Sequence, residues 1–211
     1  MYNLDEYKRL TSKYCYYASW AIWNKEKEDD SSIIDQHLDQ LHSKFVLVGL
    51  NISHSLAGKA WSNFHGGKHD RKLKYACNDT KLRGSYITDI FKDIDEVSSK
   101  NLKNILTEKV INKNVSFFNQ EMKDIKISGD TQFIVLGTPT SLLAEYFDKY
   151  FKQKYKNHII YHYHHSYYGL TDREWVCGLW KKLSINKNFD MVTKKESAVH
   201  KDGMIFFPSK I

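Results

Sequence analysis

Four short apolar runs, each closed by polar residues, constrain the fold of this chain more than any other feature. The first extends from Phe45 to Ser53 and presents Asn51 and Ser53 just after Gly49. Such a run is too short for a buried helix and is typical of a strand that is covered on both faces. Polar residues at the carboxyl ends of parallel strands are expected to meet at one edge of the sheet. Three further runs have the same plan, over residues 84–89, 132–138 and 158–162.

The segments between these runs have the apolar spacing of helices. Strands that alternate with helices predict an α/β fold, a three-layer α/β/α sandwich around a central, mainly parallel four-stranded sheet. The aromatic residues from Tyr14 to Trp23 have helical spacing and predict a helix that packs onto the domain. The other predicted helices cover residues 31–42, 70–77, 101–125, 139–150 and 171–183.

The length of 211 residues suits one domain with a substantial core. We predict a single domain over 1–211, with an N-terminal helical extension over 1–44 and a basic C-terminal tail over 184–211. That tail contains a possible closing strand over residues 204–207. The chain has 32 Lys and Arg against 25 Asp and Glu, and the resulting net charge of +7 favours a polyanion such as DNA without requiring one.

The cysteines and the terminal sequence bear on the compartment. Cys15, Cys77 and Cys177 are scattered and form no CxxC pair, which is typical of reduced thiols in a cytoplasmic protein. We find no signal-peptide pattern and no apolar run of membrane-span length. The chain is therefore expected to be cytoplasmic, to make no membrane contact and to be a monomer.

Several familiar motifs are absent from the sequence. Neither GxGxxG nor a Walker loop follows any predicted strand, so a nucleotide cofactor is not expected. No GxSxG elbow occurs, which argues against a serine hydrolase. Polar residues at the strand ends remain, namely Asn51, Asp89 and a histidine cluster, and Phe64 lies on a loop between them. Such a set could position a water molecule and hold a flat heterocycle.

The order of these motifs resembles the uracil-DNA glycosylase superfamily. Gly49-Leu50-Asn51-Ile52-Ser53 is similar to the family's water-binding motif, and Tyr86-Ile-Thr-Asp-Ile-Phe-Lys92 is similar to a base-reading segment of its iron–sulfur branch. His162-Tyr163-His164-His165-Ser166 falls where the family has its closing His-Pro-Ser-Pro motif. The resemblance implies monofunctional hydrolysis of the N-glycosidic bond of a nucleotide flipped out of DNA.

This sequence departs from the family pattern in ways that matter. The motif prolines and the four cluster-binding cysteines are missing, so we expect a divergent branch that needs no cofactor and no metal. Asp89 stands where the resemblance places a base-reading Asn. An ionised carboxylate only accepts hydrogen bonds, which suits the exocyclic amine of cytosine rather than the carbonyl of uracil. The hypothesis is a cytosine-type base, modified at position 5, in a pocket enlarged by the loop over 53–69.

The resemblance also implies a role for each residue. Asn51 would orient the attacking water, and His162 would donate a hydrogen bond to the base carbonyl, or His164 if the register is shifted by two. Phe64 would stack on the base and Asp89 would read its edge, helped by the remaining residues of the predicted base pocket, Ser53 and His65. The predicted DNA contacts are His165, Ser166, Tyr167, Tyr168, Lys182 and Lys187.

Each residue also has a purely structural interpretation. Asn51 could cap a loop, Asp89 could cap a helix or pair with Lys92, and the histidines could bind a metal. Three classes of function therefore stay open. The first is a DNA glycosylase, acting on modified phage DNA or on uracil in repair. The second is a non-catalytic module that binds DNA or a modified base, and the third is an enzyme that acts on a free nucleotide.

Overall fold

A computed structural model of the protein describes residues 2–52, 58–92, 94, 96, 98–156 and 158–194. Ser53 and the candidate strand over 204–207 lie outside the described residues. No helix in the described part of the chain is long and apolar enough to cross a membrane.

The described residues form one mixed sheet of five strands. The strand order is β1-β3-β2-β4-β5; β2 to β5 run parallel, and β1 runs antiparallel to β3. The α/β class and the mainly parallel sheet are thus confirmed. The predicted number of four strands is wrong, because a fifth strand pairs with the outer edge of β3. The strands are β1 (Ala18–Trp20), β2 (His42–Asn51), β3 (Ser85–Phe91), β4 (Gln132–Leu136) and β5 (Ile159–His162).

In the described part of the chain, every α-helix except Arg71–Cys77 begins at a side chain that caps a free backbone N–H group. Asn3 with Glu6 and Thr171 with Glu174 form capping boxes at the first and last helices. Two short 3-10 helices, Ser31–Gln36 and Leu38–Gln40, occupy the segment that was predicted to be one α-helix. The α-helices are α1 (Leu4–Tyr14), α2 (Arg71–Cys77), α3 (Ser99–Ile105), α4 (Glu108–Asp124), α5 (Leu142–Tyr150) and α6 (Asp172–Lys182).

The aromatic segment before β2 differs from its prediction. A helix was expected from Tyr14 to Trp23, but α1 ends at Tyr14 and Ala18–Trp20 is a strand. Ala18 and Trp20 pair with Thr88 and Tyr86 of β3, and both are fully buried. Helical spacing of the aromatics could not reveal this, because the pairing partner lies more than sixty residues further along the chain.

Helices pack on both faces of the sheet. The Thr88 hydroxyl donates to Glu121 of α4, whereas the next side chain, Asp89, points to the opposite face and accepts from Asn63. Successive side chains of a strand alternate between faces. On the Asp89 face His162 contacts Trp175 of α6, and α6 packs against α2. These contacts fit the three layers that the sequence predicts.

The topology fixes where a ligand site can form. The strand order reverses at β2, since β3 is added on one side of it and β4 and β5 are added on the other. In open α/β sheets the crevice at the carboxyl ends of the strands, at this reversal, is the usual ligand site. Asn51, Asp89 and His162 all lie at or near those ends.

Candidate functional site

The site is organised around the bare backbone of Gly49. Gly49 pairs with Asp89 on the neighbouring strand. A methyl group at Gly49 would lie 2.1 Å from Asp89 Oδ1 and 3.2 Å from Phe64 Cζ. Only glycine therefore allows the carboxylate and the aromatic ring to approach the same point of the sheet. The structure brings together three of the predicted site elements here.

Asp89 is a buried carboxylate with one oxygen occupied. Asn63 Nδ2 donates to Asp89 Oδ2 over 2.9 Å and also to the Tyr17 carbonyl, which fixes the carboxylate plane. Burial raises the pKa of Asp89 to about 6, and the Asn63 hydrogen bond and the charges of Lys92 and His165 limit that rise. No protein donor to Oδ1 occurs among the described residues. Oδ1 thus projects over Gly49 as a free acceptor.

The backbone of Phe64 is held by its surroundings in an unfavourable conformation. Its φ is +65°, in the left-handed region that non-glycine residues rarely adopt. Trp23 Nε1 donates to the Phe64 carbonyl over 3.0 Å, and His65 stacks on the Trp23 ring. His65 is buried, and burial lowers its pKa to about 4, so it is a neutral packing residue beneath the loop. The strained turn aims the Phe64 ring across Gly49.

Asn51 holds the chain that follows β3. Its Nδ2 donates to the carbonyl of Glu96 over 2.8 Å and to that of Ile94 over 3.1 Å. Within the described part of the chain its Oδ1 accepts no hydrogen bond. The two carbonyls fix the amide plane, because they accept only from the nitrogen end. The oxygen is thereby oriented and free to accept from a water molecule.

His162 is committed to helix α6. Its Nε2 lies 2.9 Å from the Trp175 carbonyl, so Nε2 carries the imidazole proton and donates a hydrogen bond to that carbonyl. The ring is buried and packs edge-on to the Trp175 indole, and burial lowers its pKa to about 4. Nδ1 has no partner among the described residues and no proton to donate. His162 has no spare N–H for a ligand.

His164 has the free N–H that His162 lacks. The Ser166 backbone N–H donates to His164 Nδ1 over 3.3 Å, and the Ser166 hydroxyl lies 2.6 Å from the same atom. A backbone N–H can only donate, so the imidazole proton must be on Nε2. Burial and the neighbouring His165 both lower the pKa of His164, which keeps the ring neutral. His164 is a neutral donor whose orientation is fixed by Ser166.

His165 ties the two loops of the site together. Its Nε2 lies 3.2 Å from Asp70 Oδ1, and Asp70 Oδ2 accepts from the Gly67 N–H. The His165 ring packs edge-on to Phe64 and lies 4.1 Å from the His164 ring. Both residues of this contact are buried. The sequence predicted His165 as a DNA contact and did not identify Asp70 as a residue of the site.

Of the two predicted phosphate-binding lysines, the structure brings Lys182 to the candidate site. Lys182 is the last residue of helix α6. There Lys182 Nζ donates to the Tyr161 carbonyl, while Lys187 is exposed beyond the helix. Lys182 is therefore at the carboxyl end of β5 beside His162, and its charge adds to the effect of burial in lowering the pKa of His162.

A basic cluster near the site was missed. Burial lowers the pKa of His69. The nearby charges of Lys72, Lys68 and Arg71, together with that of His165, lower this pKa further. Lys68 and Arg71 are exposed, whereas Lys72 is buried. The run of basic residues over 68–72 directly after the Phe64 loop was the signal in the sequence that could have found it.

No group of three or more His, Cys, Asp or Glu side chains among the described residues is arranged to hold a metal ion. Comparison of the chain with protein-family models, with curated proteins and with solved structures finds no match. Function has to be inferred from the site itself.

Proposed function

We propose that the protein is a monofunctional DNA glycosylase that hydrolyses the N-glycosidic bond of a flipped pyrimidine, in line with the family resemblance of its motifs. The observation that carries this proposal is the convergence of Asp89 Oδ1 and the Phe64 ring over Gly49. An acceptor beside an aromatic ring is what a flat base needs in order to be stacked and read along its edge. The position at the strand-order reversal supports the same conclusion.

The catalytic roles follow from the free atoms of the site. Asn51 Oδ1 orients the attacking water, because its amide nitrogen is held by the carbonyls of Ile94 and Glu96. A dissociative reaction of this kind needs a positioned water more than a strong base. His164 donates from Nε2 to the base carbonyl as negative charge develops on the leaving base. His162 supports the site by packing on α6 and does not touch the substrate.

Asp89 sets the base preference in this proposal. An ionised Asp89 accepts from the exocyclic amine of a cytosine-type base, including one modified at position 5. The pKa of about 6 means that the carboxyl group is largely ionised at pH 7. A role against phage whose DNA carries modified cytosine fits this preference.

Uracil excision is the second candidate, because one observation favours it. With a pKa of about 6, Asp89 retains its proton in mildly acidic solution. A protonated carboxyl group donates and could bind the carbonyl at position 4 of uracil. This alternative predicts uracil release that increases as the pH falls, and it keeps every other residue in the same role.

The proposal is tested by measuring base release with mass spectrometry. The panel is DNA containing uracil, cytosine, hydroxymethylcytosine or glucosylated hydroxymethylcytosine, each incubated with the wild type and with Asn51→Ala. We expect release of a cytosine-type base by the wild type and its loss in the variant. Thermal unfolding of both proteins checks that Asn51→Ala is folded. Release of uracil alone would leave the glycosylase and remove the cytosine preference assigned to ionised Asp89, and no release from any substrate by folded wild type would favour a non-catalytic binding module.

A further inference from the structure

Three tyrosines form an exposed stack beside the candidate site. Tyr163 and Tyr167 are nearly parallel, with ring centroids 4.8 Å apart and an interplanar angle of 16°. Tyr168 follows at 5.7 Å and 34° from Tyr167. Tyr168 is 94% exposed, and the other two are about 40% exposed. The outer ring therefore presents an open aromatic face to solvent, next to His164 and His165.

The loop that carries the stack is held rigidly from beneath. The buried ammonium group of Lys72 donates to the carbonyls of Tyr167 and Leu170, each over 3.0 Å. Trp175 Nε1 donates to the Tyr163 carbonyl over 2.7 Å. Gly169 lets the Tyr167 ring lie against the backbone, since a methyl group there would be 2.5 Å from the ring. An exposed aromatic surface built on such anchors is preorganised for a ligand.

Positive charge lies next to the stack. Lys72 connects the tyrosine loop to the basic segment, in which Lys68 is exposed and Arg71 is paired with Asp172, and the His165–Asp70 pair makes a second connection. Aromatic rings beside a basic surface are the two elements that bind single-stranded nucleic acid without sequence preference. A protein ligand would not need parallel rings with an open π face.

We propose that Tyr163, Tyr167 and Tyr168 form a stacking platform for unpaired bases, so that the strand entering the site is single-stranded or locally melted DNA. This inference rests on the proposed function for its ligand, DNA. Bases in an intact duplex keep their faces covered by their neighbours, so only an unpaired base can continue the stack beyond Tyr168. A single wedge residue inserted into a duplex is a different arrangement, since Tyr167 already stacks on Tyr163 and packs against the Gly169 backbone.

Binding without chemistry tests the platform. Fluorescence anisotropy measures the affinity of the full chain for an oligothymidylate, which has no cytosine or uracil, and for its duplex with oligoadenylate. We expect the single strand to bind more tightly. Tyr168→Ala should weaken single-strand binding by about five- to a hundredfold, the effect of one lost base stack. Because Tyr168 is almost fully exposed, the variant should fold as the wild type does.

Matched variants separate stacking from other effects. Tyr168→Phe should bind as the wild type does, and Tyr168→Leu should bind as weakly as Tyr168→Ala, because leucine has apolar surface but no π face. Equal binding by Tyr168→Leu and the wild type, a preference for duplex, or no binding of either DNA would overturn the platform. Base release measured separately tests the glycosylase. Single-strand binding without base release would sink the proposed function alone, and base release with unchanged Tyr168→Ala binding would sink the platform alone.

Discussion

At the scale of single residues, Asp89 shows how packing changes the chemistry of a side chain. Gly49 removes the side chain that would otherwise occupy the space, and Asn63 satisfies one carboxylate oxygen. The other oxygen is left in a buried environment where a charge is costly. Burial therefore raises the pKa and keeps one acceptor free, which is an arrangement that costs stability and serves binding.

Asp89→Asn should stabilise the protein at neutral pH. The pKa of Asp89 is raised from an ordinary 3.8 to about 6. The folded wild type therefore binds a proton more tightly than the unfolded chain, and its stability falls as the pH rises from about 4 through 6. The variant has no such titration, so its advantage should be small below pH 4 and reach about 2–3 kcal/mol above pH 7. Urea unfolding across this pH range measures the difference, and a constant difference at every pH would contradict the prediction.

The two histidines should separate into a stability residue and an activity residue. His162→Ala removes a buried ring and its hydrogen bond to Trp175, which should cost about 2–4 kcal/mol of unfolding free energy. His164→Ala removes a half-buried donor, which should cost about a hundredfold or more in the rate of base release. Chemical unfolding and single-turnover kinetics are measured on both variants. The reverse pattern would return the donor role to His162.

At the scale of elements, a buried ion pair joins helix α4 to strand β3. Glu121 is fully buried, and its Oε1 accepts from the hydroxyls of Tyr86 and Thr88. Lys92 Nζ lies 3.2 Å from Glu121 Oε2 and donates to the Asp89 carbonyl. The pair thus fixes the backbone of the site residue from the opposite face of the sheet. Lys92, which the sequence suggested as an ion-pair partner of Asp89, instead pairs with Glu121 and donates to the backbone carbonyl of Asp89.

Lys92→Met should strongly destabilise the protein, because it leaves the Glu121 carboxylate buried without a cation. The expected loss is about 3–5 kcal/mol. The double variant Lys92→Met/Glu121→Gln should recover most of that loss, since no buried charge remains. Lys103→Met is the matched control: its partner Glu145 is exposed, and the expected loss is below about 1 kcal/mol. Urea unfolding compares the three, and equal losses in Lys92→Met and Lys103→Met would refute this account.

In the segment over 1–44, the secondary structure depends on which part of the chain each residue packs against. Sequence spacing suggested a helical extension, but Trp20 and Trp23 are almost completely buried and β1 forms the edge of the sheet. Tyr7 stacks on Trp61, and Tyr14 packs edge-on to Phe117 of α4. The N-terminal segment is therefore packed into the core of the described structure.

At the scale of the whole molecule, the effect of the net charge of +7 on DNA binding depends on where the charged side chains lie. The basic segment over 68–72 lies near His165 and Lys182 lies beside His162, whereas Lys44 is exposed at the start of β2. Only charges that approach phosphates release counterions on binding. The overall charge predicts a polyanionic partner, and the fold decides which lysines could contact it.

Salt dependence of DNA binding should therefore distinguish the two groups of lysines. Lys68→Met should reduce the slope of log affinity against log salt concentration by about 1, with a uniform loss of affinity across sequences. Lys44 is exposed at the start of β2, at the opposite end of the parallel strands, so Lys44→Met should leave the slope unchanged and serves as the control for general loss of charge. Anisotropy titrations at several salt concentrations provide both slopes. An unchanged slope for Lys68→Met combined with a reduced slope for Lys44→Met would place the DNA at the other end of the sheet.

The sequence by itself determined the four parallel strands and most of the helices. The β-branched runs and the Thr171–Glu174 capping box are local signals, and residues close in sequence make those hydrogen bonds. The sequence also placed Asn51, Asp89 and Phe64 at one edge of the sheet, because parallel strands bring their ends together.

Only the tertiary structure decided which side chains have free atoms. His162 and His164 cannot be told apart from the sequence. In the structure the Trp175 carbonyl accepts a hydrogen bond from His162, and Ser166 orients the ring of His164. Asp70 meets His165 across two distant loops, and Ala18 and Trp20 become a strand only because β3 has an open edge. Hydrogen bonding, burial and charge pairing depend on neighbours that are remote along the chain, so local sequence patterns could not supply them.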